Sequence, residues 1–297
     1  MSVTHGLTFA TIRNGGTQRL GVRVDGGVLD VRAAAAALKL QAPASVDAVI
    51  ADAKALATVS DIVTRAQGHS EWIIPESKVE WGPCVSNPEK IICVGLNYRR
   101  HAIETKAEIP ESPVIFSKFQ NALNFHGGTV AVSKEQAQKF DYEVELVIVI
   151  GKTARDVSEA DALKYVFGYC TGDDVSARDL QLRTSQWLLG KTGDGWAPIG
   201  PYLVPAAGID PDNLKLETRV NGEVRQSSNT SDMIFNCSYV ISYISRYMTL
   251  KPGDIIFTGT PEGVILGYEA GKRVWLKAGD VVTTSVEKLG DLTITLT

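Results

Sequence analysis

The stretch KFDYEVELVIVIGK, residues 139–152, constrains the fold more than any other part of the chain. Val144, Leu146, Val147, Ile148, Val149 and Ile150 are apolar and Gly151 closes the run, the pattern of a buried β-strand. Glu143 and Glu145 nevertheless stand at its head, two residues apart. Side chains at i and i+2 of a strand share a face, so two carboxylates project side by side. Burying an ionised carboxylate without a partner is unfavourable, and adjacent ones repel. Three arrangements resolve the conflict. The face is open to solvent, each Glu pairs with a Lys or Arg, or both bind one cation.

The rest of the chain narrows the choice. Its 297 residues suffice for one large domain, or for a large domain with a small one. The composition is 44% apolar and 22% charged, ordinary for a soluble globular enzyme. A net charge of −4 offers no broad attraction for nucleic acid or an anionic membrane. An anionic substrate must therefore be held by a few placed cations. The cysteines, Cys84, Cys93, Cys170 and Cys237, form no CxxC pair, which argues against a zinc cage. The start, MSVTHGLTFATIRNGG, lacks a signal-peptide pattern, and no apolar run reaches membrane-span length. The expectation is a cytoplasmic protein with reduced thiols and no membrane or nucleic-acid partner. Histidine is scarce: His5, His69, His101 and His126.

Residues 1 to about 30 read as an antiparallel meander punctuated by Gly15-Gly16 and Gly26-Gly27. VRAAAAALKL and SVDAVIADAKALATVSDIVTRAQ read as helices. Pro75 and Gly82-Pro83 mark a boundary, giving a small α+β domain over 1–82 and a catalytic domain over 83–297. In the second part EKIICVG and SPVIFSKF read as strands, YRRHAIETKA as a helix, and EADALKYVFGYC as a helix running into a strand. After residue 195 strands dominate, with an Asn221-Gly222 hairpin turn and one amphipathic helix in SYVISYISRYMTL. The fold class is α+β and strand-rich.

Four further segments bear on chemistry. In GYCTGDDVSARDLQ, Asp173 and Asp174 stand where a strand ends, and Asp179 follows. If this end lies beside Glu143 and Glu145, carboxylates converge, and an oxygen-only ligand set suits Mg²⁺ or Mn²⁺. The alternative is that one Asp caps the helix opening at SARDLQLRTSQW. Lys191 lies in the Gly-rich GKTGDGWAPIGP, either as a chemical group or as a solvated loop lysine. In FTGTPEGV, Thr258-Gly259-Thr260 follows a strand and reads either as an anion-binding nest or as a plain turn. His101 and Glu104 share one face of a helical turn, where a carboxylate would fix the imidazole tautomer for general-base work. A surface His beside a surface Glu has the same spacing.

Taken in order, Asn97-Tyr98-x-x-His101-x-x-Glu104, Glu143-x-Glu145, Asp174-Val-Ser-Ala-Arg178-Asp179-x-Gln181, Lys191 and Thr258-Gly259-Thr260-Pro261-x-Gly263-Val264 resemble the fumarylacetoacetate hydrolase family. The resemblance covers residues 85 to 297, and the preceding segment is similar to the small extra domain of many bacterial members. It implies a mixed β-roll catalytic fold, a homodimer, and Glu143, Glu145 and Asp174 as ligands of Mg²⁺ or Mn²⁺. It further implies Lys191 near the substrate's enolate or carbonyl oxygen. Arg178 and Gln181 would line the site, and Gly259 and Thr260 would hold the substrate carboxylate. His101 and Glu104 would form an acid–base dyad on a lid that orders with ligand. Two segments depart from the family pattern, Lys118-Phe119 in place of Lys-Pro and NALNFHGGTV after it.

These parts support enolate chemistry on a small anionic 2-oxo acid. The favoured reaction is hydrolysis of the C–C bond of an acylpyruvate-type diketo acid. Oxaloacetate decarboxylation and 1,3-proton transfer (keto–enol isomerisation of a hydroxymuconate-like diacid) use the same intermediate. A catalytically silent metal- and ligand-binding protein is the reading from another class, and the retained dyad argues against it.

Overall fold

The computed structural model describes residues 6–297. Residues 1–5, with His5 and the first part of the segment read as lacking a leader, lie outside the described residues. No described helix is long and apolar enough to cross a membrane.

The first unit is a five-stranded sheet in the order β4-β3-β2-β1-β5. Its strands are β1 (Phe9–Asn14), β2 (Thr17–Val24), β3 (Gly27–Asp30), β4 (Ile73–Ile74) and β5 (Trp81–Gly82). Between β3 and β4 run α1 (Val31–Ala37), α2 (Val46–Ala51) and α3 (Ala53–Arg65). The single helix expected over SVDAVIADAKALATVSDIVTRAQ is two, because Asp52 is extended and caps α3 by accepting from the Lys54 amide.

The remaining strands build two larger sheets and two short pairs. In chain order they begin with β6 (Ile91–Gly95), β7 (Val114–Lys118), β8 (Leu123–Asn124), β9 (Thr129–Val130) and β10 (Phe140–Asp141). Next come β11 (Val144–Ile150), β12 (Val166–Asp173), β13 (Ser176–Ala177), β14 (Ala197–Pro198) and β15 (Val204–Pro205). The last are β16 (Lys215–Val220), β17 (Glu223–Asn229), β18 (Ile255–Phe257), β19 (Val281–Val286) and β20 (Gly290–Leu296). A six-stranded sheet has the order β15-β12-β11-β18-β6-β7, and a five-stranded sheet the order β17-β16-β19-β20-β9. β10 pairs with β13 and β8 with β14. Helices α4 (Arg99–Glu104), α5 (Arg178–Gln181) and α6 (Cys237–Tyr247) complete the set. Asn221 and Gly222, with φ of 51° and 84°, make the two-residue turn joining β16 to β17. Two expected helices are shorter or tighter than the sequence suggested: Glu159–Tyr165 is 3₁₀, and α5 is one turn.

β11 explains its own sequence. It lies inside the six-stranded sheet, and all seven of its residues are buried. Leu146, Ile148 and Ile150 pack with Val240, Ile241 and Ile244 of α6 and with Leu216 and Val286 of the second sheet. Val147 and Val149 point the other way, into a core shared with Val31, Val46 and Ile62 of the first unit. The boundary expected at 82/83 falls just after β5, and this core runs across it. With apolar layers on both faces, the strand has no room for alternating polar residues. Glu143 and Glu145 continue the row of Val147 and Val149 beyond the point where that core ends.

Truncating Leu146, fully buried between the sheet and α6, is expected to destabilise the protein by about 2–5 kcal/mol. A Leu146→Ala variant with an unchanged urea unfolding midpoint would contradict this packing.

Candidate metal and proton-transfer site

The head of β11 meets the end of β12. Val144 pairs with Asp173, and the Asp174 amide donates to the Glu143 carbonyl at 2.9 Å. This register carries Asp174 to the same place as the two glutamates. Glu143, Glu145 and Asp174 are buried, and each offers a carboxylate oxygen within 4.8 Å of the others. Neither Asp173 nor Asp174 caps α5, whose N-cap is Ala177 with no side-chain bond. Asp173 instead accepts the Glu143 amide at 2.8 Å through Oδ1, leaving its buried Oδ2 without a hydrogen-bond partner. Burial, with Asp174 and Glu143 nearby, pushes its carboxyl up to about 7. Asp179 lies apart, accepting the Gln138 amide.

Three cations answer the acids. Lys191 Nζ lies 2.7 Å from Glu143 Oε2 and 2.9 Å from Asp174 Oδ2. Lys118 Nζ sits 2.7 Å from the other Asp174 oxygen and donates to the carbonyls of Val175, Trp196 and Lys191. Arg178 spends its whole fork: on Asp141 at 2.9 Å, on Gln181 Oε1 at 2.9 Å and on Glu143 Oε1 at 2.7 Å. Burial opposes ionisation of Glu143, but Lys191 and Arg178 outweigh it and hold the carboxyl down at about 2. Burial also opposes the Lys191 charge, yet Asp174 and Glu143 raise its pKa. Glu145 is the exception. Burial, then the charges of Asp174 and Glu143, push its carboxyl well above the ordinary range. It accepts the Gly259 amide at 2.6 Å.

A divalent metal fits this donor set. Five buried carboxylates (Asp141, Glu143, Glu145, Asp173 and Asp174) face three buried cations (Lys118, Arg178 and Lys191). Fully ionised, that is an excess of two negative charges, which one divalent cation balances. The donors are hard oxygens with no Cys or His among them, as Mg²⁺ or Mn²⁺ prefers.

The remaining expected residues line or border one cavity of about 900 Å³. His101, Glu104, Glu143, Glu145, Arg178, Gln181, Lys191 and Thr260 all face it. His101 lies on α4, which is fully formed, and is buried. Its Nδ1 is 3.0 Å from Glu104 Oε1. Glu104 is held in turn by the Gly263 amide at 3.1 and 3.0 Å. Gly259 does not face the cavity with a free amide, because Glu145 takes it. Its φ of +101° and a would-be Cβ 2.7 Å from Asn97 Cβ require glycine there. The Thr260 hydroxyl accepts from Gln226 at 2.9 Å.

Four supporting residues had no role assigned from the sequence. Lys118, which keeps the lysine of the Lys-Pro pattern while Phe119 replaces the proline, grips Asp174. Asp141 joins Arg178 to the Ile265 and Leu266 amides, at 2.9 and 3.0 Å. Gln226 ties Thr260 to the head of β11 by accepting from the Val144 amide at 3.1 Å. Asn97 donates to the Thr258 carbonyl at 2.7 Å and fixes the turn that follows β18. A lone Lys ending an apolar strand, and an Asp two residues before a Glu pair, were the available signals.

Residues 90–297 match the family described as fumarylacetoacetate (FAA) hydrolase, C-terminal. The chain belongs to the fumarylacetoacetate hydrolase family. It is 51% identical to a fumarylacetoacetate hydrolase domain-containing protein 2 homolog of Dictyostelium discoideum, over 69% of this chain and 70% of that one. It is 42% identical to oxaloacetate tautomerase YisK of Bacillus subtilis, over 83% of this chain and 82% of that one. Among solved structures, fumarylacetoacetate hydrolase from Exiguobacterium antarcticum superposes with a TM-score of 0.80 at 33% identity, covering 98% and 99% of the two chains. Fumarylpyruvate hydrolase from Pseudomonas aeruginosa, in complex with Mn²⁺ and pyruvate, has a TM-score of 0.64 at 34% identity, covering 70% and 89%. The chain is thus an enzyme of a metal-dependent family, with the strand-rich α+β fold its motif order implied.

Replacing Glu145 by Gln should weaken Mn²⁺ binding by more than about 100-fold, because an anionic oxygen donor is lost. Titration calorimetry reads this directly, and wild-type affinity in the variant would remove Glu145 from the donor set.

Proposed function

We propose that the protein interconverts the keto and enol forms of a 2-oxo dicarboxylate of the oxaloacetate type. The observation that carries this reading is the placement of the His101–Glu104 pair in the same cavity as Glu143 and Glu145 of the acidic triad. A carboxylate only accepts hydrogen bonds, so ionised Glu104 fixes the proton of neutral His101 on Nδ1. Nε2 then carries a lone pair and serves as a general base. It takes a proton from C3 of the substrate. The C3–H electron pair becomes the C2=C3 double bond, and the carbonyl π pair moves onto the C2 oxygen, which takes a proton from solvent to complete the enol while His101 returns its proton to solvent. Lys191 contributes a fixed positive charge for that oxygen. Arg178 and Gln181 border the same space, and Thr260 is oriented by Gln226. A divalent cation held by Glu143, Glu145 and Asp174 would supply Lewis-acid polarisation of the 2-oxo group.

The motif order alone favoured C–C hydrolysis of an acylpyruvate. The similarity to oxaloacetate tautomerase YisK supports proton transfer instead, which needs no water positioned against a second carbonyl. Hydrolysis remains the second reading, supported by the similarity to the Mn²⁺- and pyruvate-bound fumarylpyruvate hydrolase. Decarboxylation of oxaloacetate would use the same charge stabilisation, with CO₂ rather than a proton leaving C3.

Decay of the enol absorbance of oxaloacetate, with an EDTA control, tests the proposal. His101→Ala should slow the metal-dependent rate by about 10²–10⁴-fold while Mn²⁺ binding survives. Full activity in that variant removes the dyad from the mechanism. Efficient release of acetate and pyruvate from acetylpyruvate, with oxaloacetate untouched, would return the assignment to a hydrolase.

A further inference from the structure

Four cations line the cavity: Lys106, Arg178, Lys191 and Arg273. Two are already committed. Arg178 is divided among Asp141, Glu143 and Gln181, and Lys191 bridges Glu143 and Asp174. Lys106, just past α4, is exposed. Arg273 differs from all three. It is half-buried, its Nε donates to the Tyr268 carbonyl at 2.8 Å, and it has no carboxylate partner among the described residues. The acids on the same wall are engaged elsewhere, Glu269 with Lys272 at 2.9 Å and Glu104 with His101. The two terminal nitrogens of the Arg273 guanidinium therefore remain without an ionic partner in the wall of the cavity.

We propose that Arg273 reads the distal carboxylate of the substrate and makes the site selective for 2-oxo dicarboxylates over 2-oxo monocarboxylates of equal length. The inference rests on the proposed function only in taking a 2-oxo acid as the ligand. The 2-oxo end of such a ligand belongs at the acidic triad, where a divalent cation fits. Its far carboxylate then needs a positive partner inside the cavity, and the protein's net charge of −4 supplies none at long range. A planar guanidinium with both terminal nitrogens free matches a carboxylate in a two-pronged pair, which a solvated lysine does not. The segment bearing Arg273 is anchored at both ends, and after Arg273 the Leu276 amide donates to the Phe140 carbonyl at 3.1 Å. Ile265 and Leu266 donate to Asp141, the residue that holds Arg178, and Gly263 donates to Glu104. The ends of the segment that carries Arg273 are thus tied to residues that support the inner site.

The test compares oxaloacetate with 2-oxobutanoate, which has four carbons and lacks the distal carboxylate. Solvent deuterium incorporation at C3 is followed by NMR with the Mn²⁺-loaded protein. Arg273→Met should lower kcat/KM for oxaloacetate by about 10–100-fold, mainly through KM, and leave 2-oxobutanoate unchanged. Arg273→Lys should recover part of the loss. An equal fall for both substrates would make Arg273 a support for its loop, and no change for oxaloacetate would remove it from the site. If the wild type exchanges neither substrate, the tautomerase reading fails by itself, and fluorescence titration of the two acids decides the inference. A tighter dissociation constant for the dicarboxylate that Arg273→Met abolishes supports it, and the same preference in the variant overturns it.

Discussion

Asp174 is held from two sides, by Lys191 on one oxygen and Lys118 on the other. The geometry of the site follows from that grip. Lys118 also takes the backbone carbonyl of Lys191, so the two lysines position each other. Through Glu143 the network reaches Arg178, then Asp141, then the loop that closes the cavity. Burying so many charges does not stabilise a protein by itself, since desolvation cancels much of the attraction. Removing one partner is worse, because it strands an uncompensated charge. The apolar layers on both sides of β11 must therefore carry the stability, and the ion network defines where each oxygen points.

The electrostatics divide the cavity into two ends. At the inner end carboxylates outnumber cations, and Glu145, pressed by Asp174 and Glu143, resists ionisation without a further positive charge. That imbalance is what a metal site looks like from the side of its ligands. At the outer wall Glu104 and Glu269 are taken up by His101 and Lys272, and Arg273 and Lys106 have no carboxylate partner among the described residues. A ligand negative at both ends and chelating at one suits this polarity. His101 borders the same space, buried and 3.0 Å from Glu104, so its imidazole belongs to the cavity and not to the surface.

Much of this was legible in the sequence, for physical reasons. β11 announced itself because a strand covered on both faces must be apolar throughout, and Glu143 and Glu145 were conspicuous against that background. The Asn221-Gly222 turn and the His101–Glu104 spacing are local, so a short window holds all the information. Lys118 and Asp141 were not legible as site residues, because their partners are distant in sequence and partly backbone carbonyls and amides. Asp179 has the right chemistry and the right neighbourhood, yet it falls on the far side of α5 and accepts the Gln138 amide instead. For Thr258-Gly259-Thr260 the sequence leaves an anion nest and a plain turn open, and that the Gly259 amide serves Glu145 follows only from the relative placement of β11 and β18.

The cluster at the head of β11 has the donors for a divalent cation and a lysine lying across them. Anomalous diffraction at the manganese edge, from crystals grown with Mn²⁺, addresses this directly. One strong peak is expected among the carboxylates of Glu143, Glu145 and Asp174, with Lys191 Nζ drawn away from at least one of its two present partners. An empty cluster with Lys191 still bridging Glu143 and Asp174, in crystals that bind manganese elsewhere or not at all, would contradict a metal site there.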